Sequence, residues 1–208
     1  MLKDAYMFAH AHVSACGFTQ EIEWQNSLSL ERLAEDSFLR EYAWVVLASG
    51  MRESVVRSKF PEIASCFYDW ESAERISNNA DACVQAALCV FRHEQKLRAV
   101  TSTAGLIASR GFSNFKEQLD TEPFETLRGL SYIGPVTQYH LAKNVGLDVA
   151  KPDRHLVRIA HLFGYSSVQD FCRSVGNETD TKVAVVDLVF WRFATLQSAY
   201  LEVLGQFA

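Results

Sequence analysis

The sequence has no Cys-x-x-Cys pair, no low-complexity run, no internal repeat and no apolar stretch long enough to span a bilayer. Each absence excludes something. Five cysteines (Cys16, Cys66, Cys83, Cys89, Cys172) stand singly, and an odd number without paired spacing argues for buried free thiols rather than a disulfide framework. Cys83 and Cys89, six residues apart, point to nearly opposite faces of one helix, and His10 and His12 also diverge. No metal and no cofactor are therefore expected from ligand spacing. The first residues, Met1-Leu2-Lys3-Asp4-Ala5-Tyr6, lack the charged start and apolar run of a secretory leader. The expectation is an intracellular protein with no membrane association. Period-two alternation is missing as well, which argues against a sheet.

What is present is helical periodicity from end to end. A length of 208 residues, with 49% hydrophobic and 22% charged residues, suits one globular domain or two small lobes sharing a core. Asp36-Ser37 is placed to cap a helix burying Leu39, Ala43, Val46 and Leu47. Arg52 to Tyr68 continues helically, with Glu53 and Arg57 spaced for an i,i+4 pair. Asn78-Asn79 breaks the chain before a helix through Val84, Ala87, Leu88 and Phe91. The next runs from about His93 to Ser109 and stops at Gly111. A short helix follows Pro123. The segment from about Lys182 to Ser198 is apolar nearly all round, so it is expected to be buried. Asp187 inside it reads first as a hydrogen-bonded buried carboxylate, and second as a functional one. The fold class is all-α.

A net charge of −5 is unusual for a protein that binds phosphates, but the distribution is uneven. Between Thr126 and Tyr165 lie Arg128, Lys143, Lys151, Arg154 and Arg158 against only Asp148 and Asp153, together with His140, His155 and His161. The acids gather earlier, as in Glu21, Glu23, Glu31, Glu35, Asp36 and Glu41. That asymmetry fits one anion-facing side, and equally an ordinary fluctuation along a helical surface.

Within the basic window, Leu127-Arg128-Gly129-Leu130-Ser131-Tyr132-Ile133-Gly134-Pro135-Val136-Thr137 reads as a helix, a tight turn at Gly134, and a second helix opened by Pro135. A helix N-terminus at a short turn presents unpaired N–H groups, which suit a phosphate. Taken alone, the segment is also an ordinary αα-hairpin. Nineteen residues after Gly134 comes Asp153, in Lys151-Pro152-Asp153-Arg154-His155, where Asp153 reads as a helix N-cap. Leu156, Ile159, Ala160 and Phe163 form the buried stripe beyond it, and Arg154, His155, Arg158 and His161 share the other face.

Together, the hairpin and the Asp-x-His resemble the signature of the helix-hairpin-helix (HhH-GPD) DNA glycosylase superfamily, which includes endonuclease III and the alkylpurine glycosylases. The match rests on Gly134, Thr137, Asp153, His155 and Arg158, and extends over about Asp36 to Tyr165. The resemblance implies two helical lobes with the active-site cleft between them. One lobe, 30–147, would end in the hairpin; the other, 1–29 plus 148–208, would carry the catalytic aspartate. It implies Asp153 as the catalytic carboxylate, with Tyr132, Ile133, Gly134, Val136, Thr137 and Lys151 on the DNA backbone. Glu41 to Arg52 resembles the family's early helix and the turn that enters the gap left by a flipped base. Trp44, Met51, Arg52 and Glu53 are therefore candidates for pocket and wedge, against Trp44 as core and Glu53 as the partner of Arg57.

Two departures set this chain apart. The family's lyase members carry an attacking lysine where Val136 stands, and a four-cysteine iron–sulfur loop where only Cys172 follows the hairpin. The expectation is thus a monomeric, monofunctional N-glycosylase acting on a damaged base in duplex DNA, with alkylated purines a candidate target. Its place would be the bacterial cytosol or nucleoid, or the nucleus if the source is eukaryotic. Tyr132 stands where the family usually has the hairpin's first glycine. The rival readings are a non-catalytic helix-hairpin-helix nucleic-acid-binding protein and an all-α interaction protein.

Overall fold

The computed structural model describes residues 1–208, all in helices, short turns and loops, with no strand. The α-helices are α1 (Leu2–Val13), α2 (Thr19–Ser27), α3 (Glu35–Ala48), α4 (Glu53–Cys66), α5 (Ala73–Asn78), α6 (Ala80–Leu88) and α7 (Glu94–Arg110). They continue with α8 (Phe112–Thr121), α9 (Pro123–Arg128), α10 (Thr137–Asn144), α11 (Arg154–Leu162), α12 (Val168–Thr179), α13 (Val183–Leu196) and α14 (Tyr200–Gly205). The chain divides into two compact units: Leu30–Leu141, and Met1–Ser29 with Ala142–Ala208.

In the unit Leu30–Leu141, α3 buries Phe38, Leu39, Tyr42, Val46 and Leu47, and α7 buries Leu97, Val100, Ala104 and Ile107. Each such side chain withdrawn from water contributes about 1.5–3 kcal/mol before entropy is counted. Tyr42 also carries a polar tip into the core. Its hydroxyl donates to Ser131 O at 2.7 Å, and burial pushes its pKa up to about 12. Lys96, also buried, donates through its ammonium to Leu47 O at 3.1 Å and to Ser49 O. It thereby satisfies the carbonyls that the end of α3 leaves open. The turn between α3 and α4 passes through Gly50 at φ +70°.

In the other unit, α13 is the central element. It is buried through Val186, Val189, Phe190 and Phe193 with Ala5, Ala9 and Val13 of α1, Leu156 and Ile159 of α11, and Phe171 and Val175 of α12. Where α12 meets the turn into α13, a Cβ on Gly176 would lie 2.5 Å from Thr181 O, so only glycine permits that approach.

Several local expectations need correction. Helix α3 begins at Glu35 with Ala34 at its cap, and Asp36 spends a carboxylate oxygen on Ser37 N–H instead of capping the helix. Of the five thiols, only Cys83 and Cys172 are buried; Cys16 and Cys89 are exposed. Helices α2, α5, α8, α12 and α14 lie outside the helices expected from the sequence. Helix α12 carries a signal, because Ser167 accepts from Asp170 N–H and Ser-x-x-Asp is a capping-box pattern.

Candidate functional site

The hairpin is held from below by its apolar residues. Leu127, Leu130 and Ile133, three apart, are all buried, and the N–H groups of Leu130 and Ile133 bond back to Leu127 O and Leu130 O. Ile133 therefore offers a ligand neither its side chain nor its N–H. Tyr42 fixes the Ser131 carbonyl at the start of the turn. Helical bonding of the second arm begins at Gly134, whose carbonyl accepts from Gln138 N–H at 3.0 Å. Pro135 accordingly occupies the first helical position, as its fixed φ favours. Thr137, two positions on, reaches back: its Oγ1 accepts from Gly134 N–H at 2.7 Å, the return half of a capping box. The Gly134 N–H is thus consumed within the protein. Among the donors left without a protein acceptor are the N–H groups of Val136 and Thr137 at the start of the second arm, beside the exposed Val136 side chain.

The turn is tight for a different reason from the one expected. Gly134 has no positive φ, and a Cβ there would meet only Thr137 Oγ1, at 3.8 Å. The left-handed residue is Tyr132, at φ +64°. A glycine would occupy that conformation freely, whereas a residue with a Cβ pays about 1–2 kcal/mol. Tyr132 offsets part of this through its ring. Its hydroxyl donates to Gln95 Oε1 at 3.0 Å, and His93 packs edge-on at 6.2 Å.

Around the early-helix candidates, Trp44 meets Phe60 edge-on at 5.3 Å under the Arg57 guanidinium, 5.3 Å from its ring, and Arg57 is ion-paired with Glu53. Trp44 and Glu53 thus come together through Arg57. Arg52 is exposed. Met51 is exposed too, and with Val55, Lys59, Phe91 and His93 lines a shallow cleft of about 460 Å³.

Asp153 lies in the other unit, at the N-cap of α11. Its Oδ1 accepts from His155 N–H at 2.9 Å and Leu156 N–H at 3.1 Å, leaving Oδ2 without a protein donor. One oxygen fixes the carboxylate and the other remains free to act. The preceding residues have no regular structure, yet they are clamped in three places. Asp148 Oδ1 accepts from Ala184 N–H at 2.9 Å. Gln169 pairs with both backbone groups of Ala150. Asp187 Oδ2 accepts from Lys151 N–H at 2.9 Å, while its Oδ1 forms an ion pair with Lys143.

This geometry corrects the charge reading. Lys143 is 5% exposed and spent on Asp187, so it is no part of a basic surface. Burial lowers the Lys151 ammonium, and Lys143 adds to the effect, while Asp153 and Asp187 oppose it. Burial, helped by Arg154 and Arg158, also lowers His155 against the pull of Asp153. Its Nδ1 lies 3.3 Å from the Tyr200 hydroxyl. A lowered His155 is neutral at pH 7, so the positive charge of α11's outer face rests on Arg154 and Arg158.

No protein-family model matches the chain, and none of the curated proteins does. Among solved structures it is similar to the 8-oxoguanine glycosylase/lyase of Methanocaldococcus jannaschii, crystallised in complex with a 15mer DNA containing 8-oxoguanine. The TM-score is 0.56 at 18% identity, over 91% of this chain and 96% of that one. At that identity the likeness concerns the fold, and the fold of this chain is the all-α architecture of a DNA glycosylase.

Proposed function

We propose that the protein is a monofunctional DNA N-glycosylase that binds duplex DNA as a monomer and releases a damaged or modified base, with Asp153 as the catalytic carboxylate. The observation that carries this reading is the divided use of that carboxylate. Oδ1 is locked by two backbone N–H groups and Oδ2 is unengaged, at the end of a loop clamped in three places. Cleaving an N-glycosidic bond leaves positive charge on the sugar as the base departs. A fixed carboxylate stabilises that charge and accepts a proton from the attacking water. The base must first leave the stack to be reached. The hairpin's free Val136 and Thr137 N–H groups bind a backbone phosphate, and Lys151 is a further candidate for a contact to the DNA backbone. Met51 and Arg52, on the turn after α3, enter the gap the base leaves.

A panel of duplexes, each with one lesion and including alkylated purines and 8-oxoguanine, scored for free base, tests the activity. A gel shift with no release from any duplex would favour the non-catalytic binding module.

The hairpin has its own test. Val136→Glu puts a carboxylate in the first turn of α10, where the helix dipole tolerates it, so the protein should fold normally. The same charge repels phosphate. Affinity for duplex DNA should fall by roughly tenfold or more at low salt, and the salt dependence should become shallower by about one phosphate contact. Unchanged affinity would remove the hairpin from the DNA interface.

The absence of a hairpin lysine predicts base release without strand cleavage, because Val136 cannot form a Schiff base with the abasic sugar. Borohydride should trap no protein–DNA adduct, and breaks should appear only after alkali. A trapped adduct that disappears in Lys151→Met would overturn the monofunctional assignment and make Lys151, whose amine burial lowers, the nucleophile.

A further inference from the structure

Burying a carboxylate to hold one backbone N–H is an expensive choice where a neutral amide would do. The same loop shows the cheaper device: Gln169 holds both backbone groups of Ala150. Asp187 is 1% exposed, and desolvation of such a group costs several kcal/mol unless it is fully paired. It is fully paired. The Lys143 ammonium takes Oδ1 and the Lys151 N–H takes Oδ2, so the carboxylate has no freedom to rotate. Lys151 in turn accepts the Asp153 N–H on its carbonyl, at 2.8 Å. A continuous set of bonds therefore runs from the middle of α13 through Lys151 to the backbone of Asp153.

The geometry points to Asp187 and Lys143 as positioning residues for Asp153: their ion pair anchors the Lys151–Asp153 turn, so that the free oxygen of Asp153 is presented at one fixed place. The charged groups around this turn are the carboxylates of Asp153 and Asp187 and the ammonium groups of Lys143 and Lys151, with Asp148 on the same loop bonded to Ala184 N–H. Lys143 is what lets a second carboxylate lie close to Asp153 without an unbalanced negative charge. The chemical role given to Asp153 rests on the glycosylase reading; the clamp itself does not.

The test compares two double variants of the full chain, Lys143→Met/Asp187→Asn and Lys143→Met/Asp187→Leu. Both remove the two charges together; Met and Asn nearly keep the volumes of Lys143 and Asp187, while Leu is larger than the aspartate it replaces. Asn retains an oxygen for the Lys151 N–H, and Leu does not. Three quantities are read: single-turnover base release, affinity for lesion DNA, and hydrogen exchange of the backbone amides from residues 149 to 156. Because misplacement of a catalytic group by about 1 Å costs up to about a hundredfold, the Leu variant should release base at least about tenfold more slowly than the Asn variant. The Asn variant should fall between the parent and the Leu variant, because it keeps an oxygen for the Lys151 N–H but loses the ion pair that holds that oxygen in place. The affinities of all three should stay within about twofold, as expected when only positioning changes. The Lys151 amide should exchange at least about tenfold faster in the Leu variant, having lost its acceptor.

Equal release rates in the two variants would overturn the positioning role, and equal exchange at Lys151 would overturn the clamp. If the parent protein releases no base from any lesion, the glycosylase reading fails by that measurement, while amide exchange still decides the clamp. Should the Leu variant not fold, Lys143→Met/Asp187→Ala makes the same comparison with a smaller side chain.

Discussion

Asp153→Asn should release base about a hundred to a thousand times more slowly than the parent while binding lesion DNA equally well, the usual consequence of removing one electrostatic stabiliser. Asn keeps the oxygen that accepts from His155 and Leu156 N–H, and it is as good an N-cap as Asp. Stability should therefore change little, and Tm should stay within a few degrees of the parental value. What disappears is the negative charge of Oδ2, the oxygen no protein donor engages. The loss must fall on the chemical step: single-turnover release drops while the dissociation constant does not. Asp153→Ala separates the two roles, because it removes cap and charge together and should add a loss of about 1 kcal/mol in stability. If Asp153→Asn releases base from a true substrate at the parental rate, Asp153 is a helix cap and nothing more.

The features of the site that were legible in the sequence are those written in short segments. Asp153 ahead of an apolar stripe identifies a helix start, and Leu127, Leu130 and Gly134-Pro135 identify two helices and the turn between them. Both depend on residues within one or two helical turns of each other, where spacing determines which side chains meet. The Glu53–Arg57 pair was legible for the same reason. What was hidden depends on partners far apart in sequence. Lys143 looked like one member of a basic window, yet its partner is 44 residues away, at Asp187 on a different helix. Composition counts a charge but does not reveal which side of the helix carries it. Asp187 was conspicuous as a carboxylate in an apolar helix, but nothing in its neighbours named Lys143 or Lys151. Tyr132 stands out in the sequence only as a departure from the motif. Its left-handed backbone follows from tertiary anchoring, with Tyr42 holding Ser131 O on one side and Gln95 holding the Tyr132 hydroxyl on the other. Such contacts override local preference, since most non-glycine residues avoid that region.

Lys143→Met should be strongly destabilising. Met fills nearly the volume of the lysine stem, so packing survives, but the Asp187 carboxylate is left buried and without its counter-ion. Breaking a buried pair from one side costs about 3–5 kcal/mol. At about 2–4 °C per kcal/mol for a chain of this size, Tm should fall by on the order of 10 °C. The defect should also depend on pH, and its sign follows from Asp187. Burial raises that carboxyl above its ordinary value, while Lys143 and the Lys151 N–H draw it back. A carboxyl raised in the folded state keeps its proton to higher pH than in the unfolded chain, so stability falls as pH rises from the ordinary carboxylate value to the folded one. Removing Lys143 deletes the largest opposing influence, raises the folded value further and widens that window. The Tm difference between variant and parent should therefore be greatest at the alkaline end of the range and shrink as pH falls toward the ordinary carboxylate value, where Asp187 can enter the folded protein neutral. Lys143→Met/Asp187→Asn, with neither charge left and an oxygen kept for the Lys151 N–H, should recover most of the lost stability and lose the pH dependence. Thermal melts of the three proteins across that range decide it. A defect that is small, or equally large at every pH, would mean that the Lys143–Asp187 pair does not carry its charge in the folded protein.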